Sequence, residues 1–229
     1  MSKLFRASSL TLAVGFALGT IPAYAAQDTT QQAEEDVEQI VVVGSRAAPR
    51  SVGESAVPVD VIGGEEFTNQ GSTDMVSMLQ NVVPSFNVNE QPINDASTLV
   101  RPANLRGLAS DHTLILVNGK RRHRSAVITF LGGGLSDGAQ GPDISVIPSI
   151  ALKQVEVLRD GAAAQYGSDA LAGVMNFVLK DDSEGGMIEA RSGAYYSGEG
   201  EMGMVAGNLG LALGENGFAN LSMEYKSAN

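Results

Sequence analysis

Three short patterns in this 229-residue chain carry residue types that could do chemistry. Gly134-Leu135-Ser136-Asp137-Gly138 has the G-x-S-x-G spacing that exposes a nucleophilic serine between a strand and a helix. Glycines run into it, however, and Ala-Gln-Gly-Pro follows, which starts a helix poorly. That arrangement also needs a histidine after the serine, whereas His112 and His123 both precede it. The segment reads as a loop, and a secreted hydrolase built on Ser136 is the weaker alternative. Gly198, Gly200 and Gly203 match the dinucleotide spacing G-x-G-x-x-G, but Glu199 and Glu201 would repel a pyrophosphate, and the chain from Met204 alternates like a strand. This reads as a hairpin loop. Glu156 and Asp160 could form an acid–base pair, but nothing else converges on them, and they read as a solvated strand end. With no cysteine and two histidines, neither a disulfide, a metal site nor a cofactor is expected, and the chain is not expected to be an enzyme.

The main chain itself offers a different chemistry. Residues 38–46 read EQIVVVGSR, a β-branched run behind the polar, acidic DTTQQAEEDV. An extended ribbon of this kind can add itself to the exposed edge of a partner's sheet, main-chain hydrogen bonds giving grip and a few side chains giving choice. The plainer alternative is a strand that joins its own domain. Further upstream, Lys3 and Arg6, the apolar stretch from Leu10 to Leu18 and the A-x-A site Ala23-Tyr24-Ala25 read as a secretory signal peptide over residues 1–25. Its removal takes two basic residues and no acidic one, moving the net charge from −11 to −13. Such a surface repels nucleic acid. The cluster Lys120-Arg121-Arg122-His123-Arg124 is therefore expected to be a charged strand end with carboxylates nearby.

The elements that must position these residues fall into two materials. After a polar leader and a Pro/Gly/Ser-containing linker over residues 26–56, residues 57–180 read as an α+β domain with a small mixed sheet. Pro58 confines a strand at 57–61 to a sheet edge or a strand start. Ser72 is placed to cap a helix whose Met75, Val76, Met78, Leu79 and Val82 share one face, with Pro84 ending it. Thr113–Val117 is a buried strand, and Asn118-Gly119 is a two-residue hairpin turn. Strands are expected at 153–159 and 173–179, with a turn at Asp160-Gly161 and a short Ala-rich helix between them. Irregular stretches at 89–99, 109–112 and 125–141 are long enough to serve a function. Beyond residue 180 the pattern alternates with period two over 186–196, 202–213 and 218–226, in segments of about ten residues, as strands of a transmembrane β-barrel do.

Three stretches resemble the TonB-dependent outer-membrane receptors: EQIVVVGSR at 38–46, LRGLASDHTLILVNGKRR at 105–122, and IPSIALKQVEVLRDGAAAQYGSDALAGVMNFVLK at 147–180. The resemblance implies that Glu38, Gln39, Ile40, Val41, Val42, Val43 and Gly44 form a TonB box that binds the periplasmic domain of TonB. It implies that 57–180 is a plug and that 181–229 begins a barrel set in outer-membrane lipid. By the same likeness Gln91, Asn94, Asp95, Asp111, His112, Arg124, Phe130, Asp137 and Gln140 are expected to face a small-molecule ligand, an iron chelate among them. Arg106 and Arg159 match plug arginines that face carboxylates of the barrel wall. The implied function is energy-coupled uptake of a scarce nutrient such as a ferric siderophore or cobalamin. Plugged barrels of this kind have about 22 strands. Three strands cannot close, so the chain is expected to be a fragment or truncated product, and a non-transporting periplasmic binding module is the alternative.

Overall fold

The computed structural model describes residues 40–41, 50–51, 58–88, 100–128, 137–159, 162–194, 196, 200–214 and 217–228. β1 (Ile40–Val41) and β2 (Arg50–Ser51) pair antiparallel with each other and join no other sheet, so the described part of the valine run is not a central strand of the domain. Glu38, Gln39, Val42, Val43 and Gly44, with the expected signal peptide and leader, lie outside the described residues.

The domain sheet is built from β3 (Val59–Gly63), β6 (Thr113–Val117), β7 (Lys120–Arg121), β8 (Leu152–Leu158) and β9 (Gly173–Leu179), in the order β3-β8-β9-β6-β7. β6 and β9 run parallel and every other pair is antiparallel, which makes the sheet mixed. β3 follows Pro58 and lies at an edge, where the missing N–H breaks no ladder. The other elements are α1 (Gly64–Thr68), α2 (Met75–Val82), α3 (Ala162–Tyr166) and the short pair β4 (Phe86–Asn87) with β5 (Asn104–Leu105). The central strands are buried on both faces, which is why β6 reads as an unbroken apolar run. On one face, Phe67, Met75, Met78 and Leu79 from the two helices pack on Ile115, Val155, Val157, Met175 and Phe177. On the other, Leu114, Leu116, Leu158 and Val174 pack with Ala162 of α3. Each such Leu, Ile, Val, Met or Phe side chain contributes about 1.5–3 kcal/mol by leaving water.

Two expectations are corrected. The cap of α2 is Asp74, not Ser72. The Asp74 carboxylate accepts from Ser77 N at 3.1 Å and Ser77 Oγ at 3.0 Å, while Ser72 Oγ accepts from Asp74 N at 3.1 Å. Asp74 stands three residues before the N–H that needs an acceptor, so its carboxylate reaches it. Glu156 is not a solvated strand end. β8 continues to Leu158, and Glu156 is fully buried, with Oε2 accepting from Asn176 Nδ2 at 3.0 Å and Oε1 from Gln154 Nε2 at 2.8 Å. Asp160 and Gly161 lie outside the described residues. Asn176 Oδ1 accepts in turn from Gly119 N at 2.9 Å. That amide belongs to the expected hairpin, whose Asn118 and Gly119 have φ of 49° and 74°, the mirror-image turn that matches strand twist.

β10 (Gly186–Gly193), β11 (Met202–Leu213) and β12 (Gly217–Ala228) form an antiparallel meander with unbroken register. Its outward face carries Ile188, Val205, Leu209, Leu221, Met223 and Tyr225, with Ile188 86% and Met223 78% exposed. The opposite face sets Glu189, Ala206 and Glu224 in one row and Arg191, Met204 and Lys226 in the next. β11 opens at Met202 and includes Gly203, so a strand stands where the dinucleotide pattern needs a helix.

Candidate functional site

The charged run after the hairpin is placed by β7, which carries Arg121 back along β6 and leads to Arg124. Both guanidinium groups meet Asp169, in the 3₁₀ turn that feeds β9: Arg121 donates to Asp169 Oδ2, and Arg124 lies 3.8 Å from it. The hydrogen bond from Arg121 holds the Asp169 carboxyl below the ordinary aspartate range, against the opposing effect of burial and with help from both arginine charges. These groups border a recess of about 250 Å³ whose wall also includes Asp111, Arg122 and Gln140. The Asp111 carboxylate accepts from Gln140 N at 3.0 Å, and Gln140 Nε2 donates to Ser125 O at 2.8 Å. With Ser125 N donating to Gly141 O, these bonds close the base of the 125–141 stretch. The arginines and the Gln140 amide in its lining equip the recess to hold a polar, anion-bearing group by hydrogen bonds.

Of the residues expected to face ligand, Asp111, Arg124 and Gln140 come together here. His112 is next to Asp111 but does not line the recess, and Asp137 is exposed on the loop. Gln91, Asn94, Asp95 and Phe130 lie outside the described residues. Sequence reasoning missed Arg122 and Asp169 as wall residues. The cationic run at 120–124 was the available signal, since it calls for a carboxylate. Among the described residues no cluster of three His, Cys, Asp or Glu side chains is placed to hold a metal ion.

Arg106 and Arg159 are adjacent. Arg106, held at φ 55°, donates from Nη1 to Arg159 O at 2.6 Å, and Arg159 pairs with Asp60 near the start of β3. The carboxylate described for Arg159 is thus within the domain.

Among the described residues the meander meets the domain around Ile150 and at the turn before α2. Ile150 packs on Met204 and Ala206. Arg191 Nη1 donates to Gln70 O and Ser72 O, both at 2.8 Å, while Thr73 Oγ1 approaches Met202 Sδ at 3.8 Å. The same turn is held from the domain side by Arg101, whose guanidinium donates to both Asp74 oxygens at 2.9 and 2.5 Å. Burial acts to raise the Asp74 pKa, but the Arg101 bond and charge, with the Ser77 bonds, outweigh it and bring it below the ordinary range.

A mixed sheet covered on both faces, followed by a strand meander with a bare apolar outer face, is a recognisable arrangement. Residues 51–174, more than half of the chain, match the TonB-dependent Receptor Plug Domain. The chain belongs to the TonB-dependent receptors. The vitamin B12 transporter BtuB of Photobacterium profundum is 24% identical over 197 residues, which cover 86% of this chain and 29% of the transporter. The probable TonB-dependent siderophore receptor PirA of Acinetobacter baumannii is 30% identical over 189 residues, 79% of this chain and 24% of the receptor. The crystal structure of the siderophore receptor PirA from that organism superposes with a TM-score of 0.57 at 27% identity, over 73% of this chain and 24% of the solved chain. The chain thus spans about a quarter of the length of the curated relatives it matches. The domain sheet is the plug, and the three described strands of the meander do not close a barrel.

Proposed function

We propose that this chain supplies the plug and the first wall strands of an outer-membrane transporter that takes up a scarce nutrient, a ferric siderophore or cobalamin, by energy coupling to TonB. The match of residues 51–174 to the plug domain carries this reading. The bare apolar face of β10–β12, with β11 and β12 at spanning length, supports insertion in outer-membrane lipid. Residues 1–25 act as the export signal, 26–56 hold the TonB box and linker, 57–180 form the plug and 181–229 begin the wall.

In this reading residues 38–44 are the handle that pairs with the sheet edge of TonB's periplasmic domain. Asp111, Arg124 and Gln140 offer the plug's contact to an anionic chelate, with Gln91, Asn94, Asp95, His112, Phe130 and Asp137 as further contacts. Arg106 and Arg159, which bond to each other and to Asp60 within the plug, are the arginines that would face wall carboxylates in the whole transporter. A peptide of residues 36–46 is expected to bind the TonB periplasmic domain and to lose binding when Val42 is replaced by proline, which removes a ladder N–H. No binding by the parent peptide would refute the coupling role. Because the chain spans about a quarter of its relatives, a fragment without transport or a periplasmic binding module is the second reading. Recovery of the expressed chain in the soluble periplasmic fraction rather than the outer membrane would favour it.

A further inference from the structure

The recess beside Asp111 has two hydroxyl groups on its wall that the fold leaves idle. Ser110 stands in the 3₁₀ turn before β6, and Thr113 opens that strand. Both residues line the recess, and both are buried, at 1% and 3% exposure. Neither Ser110 Oγ nor Thr113 Oγ1 has a hydrogen-bond partner among the described residues. A Cβ on residue 141 would lie 2.9 Å from Ser110 Oγ, so Gly141 keeps that hydroxyl clear. A buried hydroxyl without a partner is costly, and a water or an ion in the adjoining space is the ordinary remedy.

The rest of the wall decides between the two. Arg121, Arg122 and Arg124 border the recess against two carboxylates, Asp111 and Asp169. Arg121 engages Asp169, and Gln140 N engages Asp111. Among the described residues the Arg122 guanidinium makes no hydrogen bond or ion pair, and that of Arg124 makes only its 3.8 Å approach to Asp169. The lining thus carries one positive charge beyond its carboxylates, with forks and hydroxyls able to donate from several directions. A small oxyanion answers both the charge and the hydroxyls, whereas a water answers the hydroxyls alone. At about 250 Å³ the recess is smaller than the roughly 300–1,000 Å³ of pockets that enclose a drug-sized ligand, so it takes one small group and not a whole metal chelate.

We infer that the recess is a site for one tetrahedral oxyanion of phosphate size, with the Ser110 and Thr113 hydroxyls donating to it and Arg122 and Arg124 supplying the charge. The inference deepens the ligand reading of Arg124 and Gln140, and it rests on that reading only in treating the recess as a binding surface.

Calorimetric titration of inorganic phosphate into the whole chain in detergent micelles, at constant ionic strength, tests it. Saturable binding is expected with a dissociation constant of about 1 mM or tighter, and no saturable binding overturns the site. T113V and S110A each remove one donor and are expected to weaken binding about three- to tenfold. Without phosphate, T113V is expected to unfold at no lower a temperature than the wild type, because it removes an idle hydroxyl. A hydroxyl with a structural role alone predicts the reverse, so unchanged affinity with a lowered unfolding midpoint in T113V overturns the assignment. If neither variant folds, R124Q alters a side chain that is 53% exposed and is expected to weaken binding about tenfold, and unchanged affinity there refutes the site. Acetate binding as tightly as phosphate overturns the choice of a tetrahedral ion. Phenyl phosphate separates the two sources of the group: equal affinity assigns the site to a phosphate carried on a larger molecule, and weaker affinity to the free ion. Absent phosphate binding with intact TonB binding by residues 36–46 sinks the oxyanion site and leaves the transport reading, and the converse result sinks the transport reading alone.

Discussion

Replacing Asn176 by alanine should loosen the plug sheet far more than its single side chain suggests. Asn176 is fully buried and joins three strands: Nδ2 donates to Glu156 Oε2 on β8 at 3.0 Å, and Oδ1 accepts from Gly119 N in the β6–β7 hairpin at 2.9 Å. Truncation strands both partners, at unequal cost. Gly119 lies at an exposed turn, where water takes over, so that loss is about 0.5–1.5 kcal/mol. Glu156 is fully buried, and an oxygen that loses its donor there costs about 1–3 kcal/mol. Together these give about 1.5–4.5 kcal/mol. If the sheet opens as a unit, its slowest amides should exchange roughly 10- to 1,600-fold faster, at about 1.4 kcal/mol per tenfold. Hydrogen exchange of β6, β8 and β9 reads this directly. Glu156→Ala with Asn176→Ala should cost less than the sum of the single changes, because each already spoils the shared bond. An Asn176→Ala rise below about threefold, or strict additivity in the double variant, would refute the reasoning about the buried network.

Two further perturbations probe the turn and the wall. Asp74→Asn keeps a capping oxygen but loses the charge pair with Arg101, whose partners are about a quarter exposed, so the cost at neutral pH should be no more than about 1 kcal/mol. Because the folded-state pKa of Asp74 is lowered, the pair's contribution is present in full above the ordinary aspartate range and is lost as pH falls through the lowered value. The gap in unfolding midpoint between wild type and Asp74→Asn should therefore close in acid. Gly210→Ala would bring a Cβ to 2.5 Å from Asp182 O and 3.0 Å from Glu184 N, both backbone atoms of the connection between plug and wall. The connection must shift, at about 1–3 kcal/mol, and limited proteolysis should cut near residues 182–185 sooner than in the wild type.

What could be read in the sequence was what repeats or what is local. The apolar run at 113–117, the Asn-Gly turn and the period-two alternation after residue 186 each fix their element from within, and each element stands where they put it. What could not be read depends on a partner far along the chain. Ser72 and Asp74 are both competent caps, and the one that caps, Asp74, is also bound by a cation 27 residues away. Glu156 looks like a solvated strand end until Asn176, 20 residues on, is seen to face it. Asp169 completes the recess from 48 residues beyond Arg121. Arg191 is the hardest case. It reaches 119 and 121 residues back to two main-chain carbonyls, and a carbonyl is the same at every residue. Alternation shows that Arg191 faces inward, but no spacing of side chains encodes what it holds. A contact made to backbone leaves a signal on one side alone, as a charged residue on the row of the meander that faces the domain.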